Sequence, residues 1–281
     1  MATTNLTPTL YTGKTILGIA RELETKLGLQ PANNISSTLN AKYNIYPSSI
    51  PSAPTYTRYF GYGIGGARNV NEQNLSQPNV VRSANMDLYI PIPVRAVPLE
   101  EDLSDTERAN YRIRRIWTHP TTSDLYALYY LMPFTLGSTS VRMTRVDPNT
   151  GIESPYTLDY SNLNPTPPVP DINGVISDET ADIHVYNEVS LPLRGSSVVE
   201  VIGLLYGGDM RYAKLSEVGL YLGRDQIVTG QGTGGPNSVT YTESLMTQLD
   251  IHHTWNGIDM SNPTTEVSYK FDLGKYDIVQ I

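Results

Sequence analysis

The sequence predicts a mainly β fold with a few short helices (α+β). An antiparallel sheet or sandwich forms its core, and long Pro- and Gly-rich loops and arms extend from it. Three observations carry this expectation. Short alternating or aromatic-apolar runs recur along the chain, bounded by turn-forming residues, which is the pattern of strands and tight connections. With 22 Gly and 20 Pro in 281 residues, those connections are irregular. Tyrosine is strongly favoured, 20 against 3 Phe and 2 Trp. Its apolar body and polar tip suit strand surfaces and protein–protein contacts alike, and both readings stand.

Taken in order, the first element is a helix over 13–28. Ile16, Ala20, Leu23 and Leu27 recur at helical spacing, with Thr12 as N-cap and Gly28 just past the last turn. Its apolar stripe is expected to dock on the body of the protein. Residues 30–58 read as loop, and 46–56 and 164–174 as proline-bearing arms. Pro91 and Pro93 break the strand that starts at Met86. A second helix is expected over 105–116, opened by the Ser104/Glu107 capping box, with Ala109, Ile113 and Ile116 buried and a stop at His119-Pro120. The run from Asp124 is apolar on both faces and reads as a central strand. Residues 138–158 read as a hairpin turning at Asp147 to Gly151. Residues 1–161 thus make an N-terminal α+β part, 162–174 a Pro-rich connector and domain boundary, and 175–281 a mainly β part of short strands, including one at 197–208.

Composition narrows the function. The net charge is −8 and the pI about 5.0, so a role as a general nucleic-acid binder is disfavoured. Absence of cysteine excludes disulfides, thiol nucleophiles and Cys-ligated zinc. The N-terminus has no secretory h-region, and no apolar run approaches the ~18 residues of a membrane span. A soluble chain in a cytosol-like compartment is expected.

Motif-level chemistry is weak. Gly61, Gly63 and Gly66 spell G-x-G-x-x-G, with Asp87 where the ribose-binding acid of a dinucleotide site would stand. The following segment is polar, has no apolar stripe and closes on Pro78, so no phosphate-binding helix is expected there. Gly230 to Gly235 repeats the pattern before Pro236. Two hits in unsuitable contexts read as loop hinges. His252 and His253 are neighbours in a strand and point to opposite faces. Asp147, Asn149 and Gly151 resemble a calcium loop that lacks the Glu at its twelfth position. Glu100 to Asp102 and Asp178-Glu179 read as solvated carboxylates. No catalytic, cofactor-binding or metal-ligating residue is assigned, no cofactor is expected, and the chain reads as no enzyme. Arg108, Arg112 and Arg115 share one face of the helix expected over 105–116. With Tyr46, Tyr56 and Tyr269 they are the candidate interface residues.

Four stretches, "NLTPTLYTGKTILGIARELETKLG", "YFGYGIGGARN", "LSDTERANYRIRRI" and "IGLLYGGDMRYAKLSEVGLYLG", occur in the order seen in a family of tailed-bacteriophage virion structural proteins, which this chain resembles. "GIDMSNP", Gly257 to Pro263, extends the likeness. The resemblance implies a non-enzymatic tail or baseplate component in multiple symmetric copies, with other virion proteins as partners. It would sit in the virion, and in host cytoplasm during assembly. A head-to-tail neck or collar protein, or a receptor- or carbohydrate-binding module of the tail, is the alternative.

Overall fold

The computed structural model describes residues 10–29, 35–46, 54–69, 76–146, 150–157, 161, 163–164, 166–167, 169–170, 172–174 and 180–280. The chain divides into two compact units, residues 1–134 with 192–268, and residues 135–191 with 269–281. Within the first come β1 (Leu10–Lys14), α1 (Ile16–Lys26), α2 (Leu39–Lys42), β2 (Tyr56–Gly63), β3 (Ala67–Asn69) and β4 (Ser76–Pro78). They are followed by β5 (Pro91–Ile92), β6 (Arg95–Pro98), α3 (Asp105–Arg108), β7 (Arg112–Thr118) and β8 (Leu125–Pro133). The second unit holds β9 (Ser140–Val146), β10 (Glu153–Pro155) and most of β11 (Thr180–Arg194). The chain then returns to the first through α4 (Gly195–Leu205), β12 (Lys214–Gly232) and β13 (Gly235–Asp259), and β14 (Glu266–Gln280) leads back.

The mainly β expectation holds. The first unit is built on an eight-stranded sheet ordered β1-β13-β12-β2-β8-β6, with β5 on β2 and β7 on β8, and every pairing in it is antiparallel. The pair β3-β4 forms a separate small sheet, and the second unit is a sheet ordered β10-β9-β11-β14. β8 is the expected central strand, with Ala127, Leu128, Tyr129 and Leu131 essentially inaccessible. Pro91 and Pro93 do break their strand, leaving β5 and β6 as short pieces. β9 and β10 form the expected hairpin, with Glu153 opposite Val146, while Asp147 to Asn149 lie outside the described residues. The domain boundary differs from the expected connector. The described residues of 162–174 lie inside the second unit, because the chain enters and leaves that unit through residues 134–135, 191–192 and 268–269.

Several local expectations are corrected. Helix α1 begins at Ile16 and not at Gly13, because Leu10 to Lys14 pair with Ile251 to Trp255 of β13. Its N-cap is therefore Thr15, whose Oγ1 accepts from the Gly18 N–H at 3.0 Å, and Thr12 lies in β1. The apolar stripe is real but points outward. Ile16, Leu23 and Leu27 are 60%, 55% and 60% exposed, whereas the residues the helix buries are Gly18 and Arg21. Residues read as loop contain α2 and a short turn of helix at Ile35–Ser37, and 47–53 of the first arm lie outside the described residues.

The second helix also ends early. Both halves of the Ser104/Glu107 capping box form, yet α3 lasts one turn and Arg112 to Thr118 become strand β7. There the backbone of Arg112 and of Arg114 to Thr118 pairs with β8, and Ile113, skipped in that register, sits fully buried at φ 54, a strained value for a β-branched residue. At 195–205 the apolar run folds as a helix in place of the expected strand. Val198, Val201 and Ile202 fall on one face at helical spacing and are fully buried. The strands that follow are long, 19 residues in β12 and 25 in β13.

Part of the tyrosine excess serves the core. Tyr59, Tyr62, Tyr129 and Tyr221 are buried, and three of them donate their phenols to carboxylates: Tyr59 to Asp225 (2.8 Å), Tyr129 to Asp102 (2.6 Å) and Tyr221 to Asp87 (2.7 Å).

Candidate functional site

The glycine fingerprint makes no phosphate cradle. Gly61 and Gly63 belong to β2, and Gly66 leads into the short strand β3. The Gly65 N–H donates to Glu217 Oε1 (2.9 Å) and the Gly66 N–H to Ser216 Oγ (3.0 Å). The amides that a phosphate would take are thus held by a carboxylate and a hydroxyl of β12. Nor are the glycines hinges. A Cβ on Gly66 would stand 2.0 Å from the Ser216 carbonyl oxygen, and one on Gly63 would stand 2.4 Å from that of Ile90. Asp87 accepts from Tyr221 and Lys42, away from the loop. The second glycine run closes the β12–β13 hairpin, where Gly232 pairs with Gly235 at φ 101.

Glu217 is fully buried and ties four segments together. Besides Gly65 it accepts from the N–H groups of Tyr89 and Ile90 (both 2.9 Å), and its Oε2 meets His252 Nε2 at 3.0 Å. Glu243 does the same for β7, accepting from the N–H groups of Ile113, Arg114 and Ser244. Burial pushes its carboxyl up to about 7 against the pull of those three donors. His252 and His253 do face apart, His252 to Glu217 and His253 Nδ1 to Thr12 Oγ1 at 2.7 Å.

Burial, and then the neighbouring His252, pull the His253 imidazole down to about 3. Its folded-state value lies below the ordinary 6.5, so its contribution is intact above pH 6.5 and is lost as pH falls toward 3. Wild type is therefore expected to lose about 1.4 kcal/mol per pH unit more than His253→Gln below about pH 6, as read from urea midpoints of both proteins. Parallel pH profiles would refute this.

The arginine segment is mostly internal. Arg108 donates to Asp105 (2.8 Å) and to the Leu103 carbonyl, and Arg112 grips Asp225 with both arms at 2.7 and 2.9 Å. Burial would raise the Asp225 carboxyl, but the Arg112 guanidinium and the Tyr59 phenol hold it below its usual value. Arg114 donates to Asp102 at 2.7 Å and lies over the Tyr241 ring. Asp102 is thus a buried clamp and not a solvated carboxylate. Arg108 and Arg112 are 6% exposed, which removes both from the candidate interface set and separates them from any common helical face.

Arg115 and Tyr46 are brought together. Both line a groove of about 840 Å³ in the first unit, between residues 43–46 and 114–116 on one side and β12–β13 on the other. Tyr56 is 45% exposed at the start of β2, beneath the Arg58 guanidinium. Tyr269 stands in the second unit, half-buried against Phe271 at 4.6 Å. Sequence reasoning missed Ile227, Gln226 and Tyr241 on the groove's far wall, since nothing local marks a strand as unpaired on one edge.

Among the described residues, no group of three His, Cys, Asp or Glu is placed to hold a metal ion, and no helix is long and apolar enough to cross a membrane. No curated protein and no solved structure matches the chain. A family model does, over residues 1–279, and the chain belongs to that family, DUF7208, described as a family of unknown function.

Proposed function

We propose that this chain is a non-enzymatic structural component of a bacteriophage particle, built in repeated copies into the tail or baseplate, with the neck or collar as the alternative position. The resemblance of its four motifs to virion structural proteins supports this. The observation that carries it is the outward apolar face of α1. Ile16, Ile19, Leu23 and Leu27 are all more than half exposed on one helix, joined by Leu29 just beyond it. A free-standing domain rarely leaves such a stripe in water, whereas a particle subunit covers it with a neighbour. The buried carboxylates serve backbone and guanidinium groups, which fits scaffolding better than turnover. The carbohydrate-binding alternative has less behind it, because three of the tyrosines, Tyr59, Tyr129 and Tyr221, have their phenols committed inside the core.

Leu23→Asp tests the reading. The side chain is exposed, so the variant is expected to fold with a melting temperature within about 2 °C of wild type, as surface changes usually do. It is expected to be depleted at least tenfold from purified particles, measured by quantitative mass spectrometry. Absence of the wild-type protein from particles would end the reading. Normal incorporation of the variant would show that α1 is not the contact.

A further inference from the structure

We propose that the groove between β7 and the β12–β13 ribbon is a strand-addition site, and that its occupant is an extended acidic segment of another protein. Its shape comes first. Six consecutive residues of β12, Gln226 to Gln231, line it. Alternate side chains of a strand point to opposite faces, so an unbroken run can border one space only along the strand's edge. The pairing agrees. β2 leaves β12 at Gly223, opposite Tyr56, and beyond that point, among the described residues, β12 is paired with β13 alone as far as the Gly232–Gly235 turn. Half of the N–H and C=O groups of that stretch therefore point away from β13, toward the groove.

Size and polarity specify the occupant. An extended residue inside a sheet fills about 160 Å³, from its rise, the strand spacing and the sheet spacing. A groove of about 840 Å³ then takes about five such residues, close to the length of the open edge. Among the described residues no Asp or Glu lines the groove, but two arginines do. Arg114 is neutralised by Asp102, whereas Arg115 lies 5.8 Å above the Tyr43 ring with no carboxylate at ion-pair distance among the described residues. The uncompensated charge is positive in a chain of net −8. A peptide strand carrying a carboxylate supplies both main-chain pairing for the open edge of β12 and a counter-charge for Arg115. A second copy would have to bring the edge of its own two-stranded ribbon to β12, where residues 43–46 also line the groove.

The test uses the full chain and a displayed library of random nonapeptides. Enriched peptides are expected to combine β-prone residues with at least one Asp or Glu. In anisotropy titrations of a labelled selected peptide, Arg115→Glu is expected to weaken binding at least tenfold with the circular dichroism spectrum unchanged. Single N-methylation along the peptide is expected to abolish binding at alternate residues only, the signature of one-sided strand pairing. Should Arg115→Glu fail to fold, Ile227→Pro and Val228→Pro provide the second measurement. One of these neighbours points its N–H at the groove and is expected to lose binding while keeping its fold. The proposal is overturned if no peptide is enriched or if binding ignores these variants. It is overturned too if N-methylation acts without a period of two, or if the variants abolish self-association instead, which would make the occupant a second copy.

Discussion

Glu217→Ala is expected to leave the protein unfolded at 37 °C, or with a melting temperature at least about 10 °C below wild type. The carboxylate is completely inaccessible and is the acceptor for the N–H groups of Gly65, Tyr89 and Ile90 and the partner of His252 Nε2. Alanine leaves all four without this partner at a fully buried position. Each orphaned buried donor costs about 1–3 kcal/mol, so even partial rescue by entering water leaves a loss of about 4 kcal/mol or more. Against a total stability of about 5–15 kcal/mol that is a large fraction, and at about 2–4 °C per kcal/mol it gives the stated shift.

Glu217→Gln separates hydrogen bonding from charge. Its remaining oxygen can still accept from Gly65 and Ile90, while its amide nitrogen opposes the Tyr89 N–H. A melting temperature between those of wild type and Glu217→Ala is therefore expected. If alanine and glutamine variants both melt within about 2 °C of wild type, the carboxylate is not the tie between these segments.

This tie explains two of the motifs that the sequence displays separately. The glycine loop and the Ser216-Glu217 pair of β12 lie about 150 residues apart, yet they form one hydrogen-bonded unit. Nothing local says so: glycine patterns record that a side chain is excluded, and only the fold reveals what excludes it. Features that depend on short range were legible, such as the capping box at Ser104, the central strand at 125–133 and the hairpin after 138. What failed was the inference from periodicity to environment. The stripe of α1 is helical as read, but the face that docks belongs to Gly18 and Arg21, because Arg21 finds Gln248 on β13. The apolar run at 195–205 is rich in valine and was read by propensity, which tertiary packing overrode. Of the candidate interface residues, Arg115 and Tyr46 reached a common groove. A row of basic residues cannot reveal which members will find carboxylates far along the chain.

The second large effect follows from that same row. Asp102→Ala is expected to destabilise the protein by about 3–5 kcal/mol, the cost typical of breaking a buried ion pair on one side. The Asp102 side chain is 9% exposed and accepts from Arg114 (2.7 Å) and from the Tyr129 phenol (2.6 Å), with Arg108 at 3.5 Å. Its loss strands the guanidinium of Arg114, which is 2% exposed, in the interior. Burial, and then the bond to Asp102, push the Tyr129 phenol up to about 12, so this hydroxyl stays protonated and loses its acceptor as well. A double-mutant cycle with Arg114→Met isolates the pair, since the double variant removes both charges and leaves neither stranded. The double variant is expected to be more stable than the sum of the single losses by about 2 kcal/mol, measured by urea denaturation. Simple additivity would mean the two groups do not depend on each other. Coupling of that size would mark Arg114 and its carboxylate as part of the frame beside the groove, leaving Arg115, which has no carboxylate partner among the described residues, as the cation proposed to meet the entering strand.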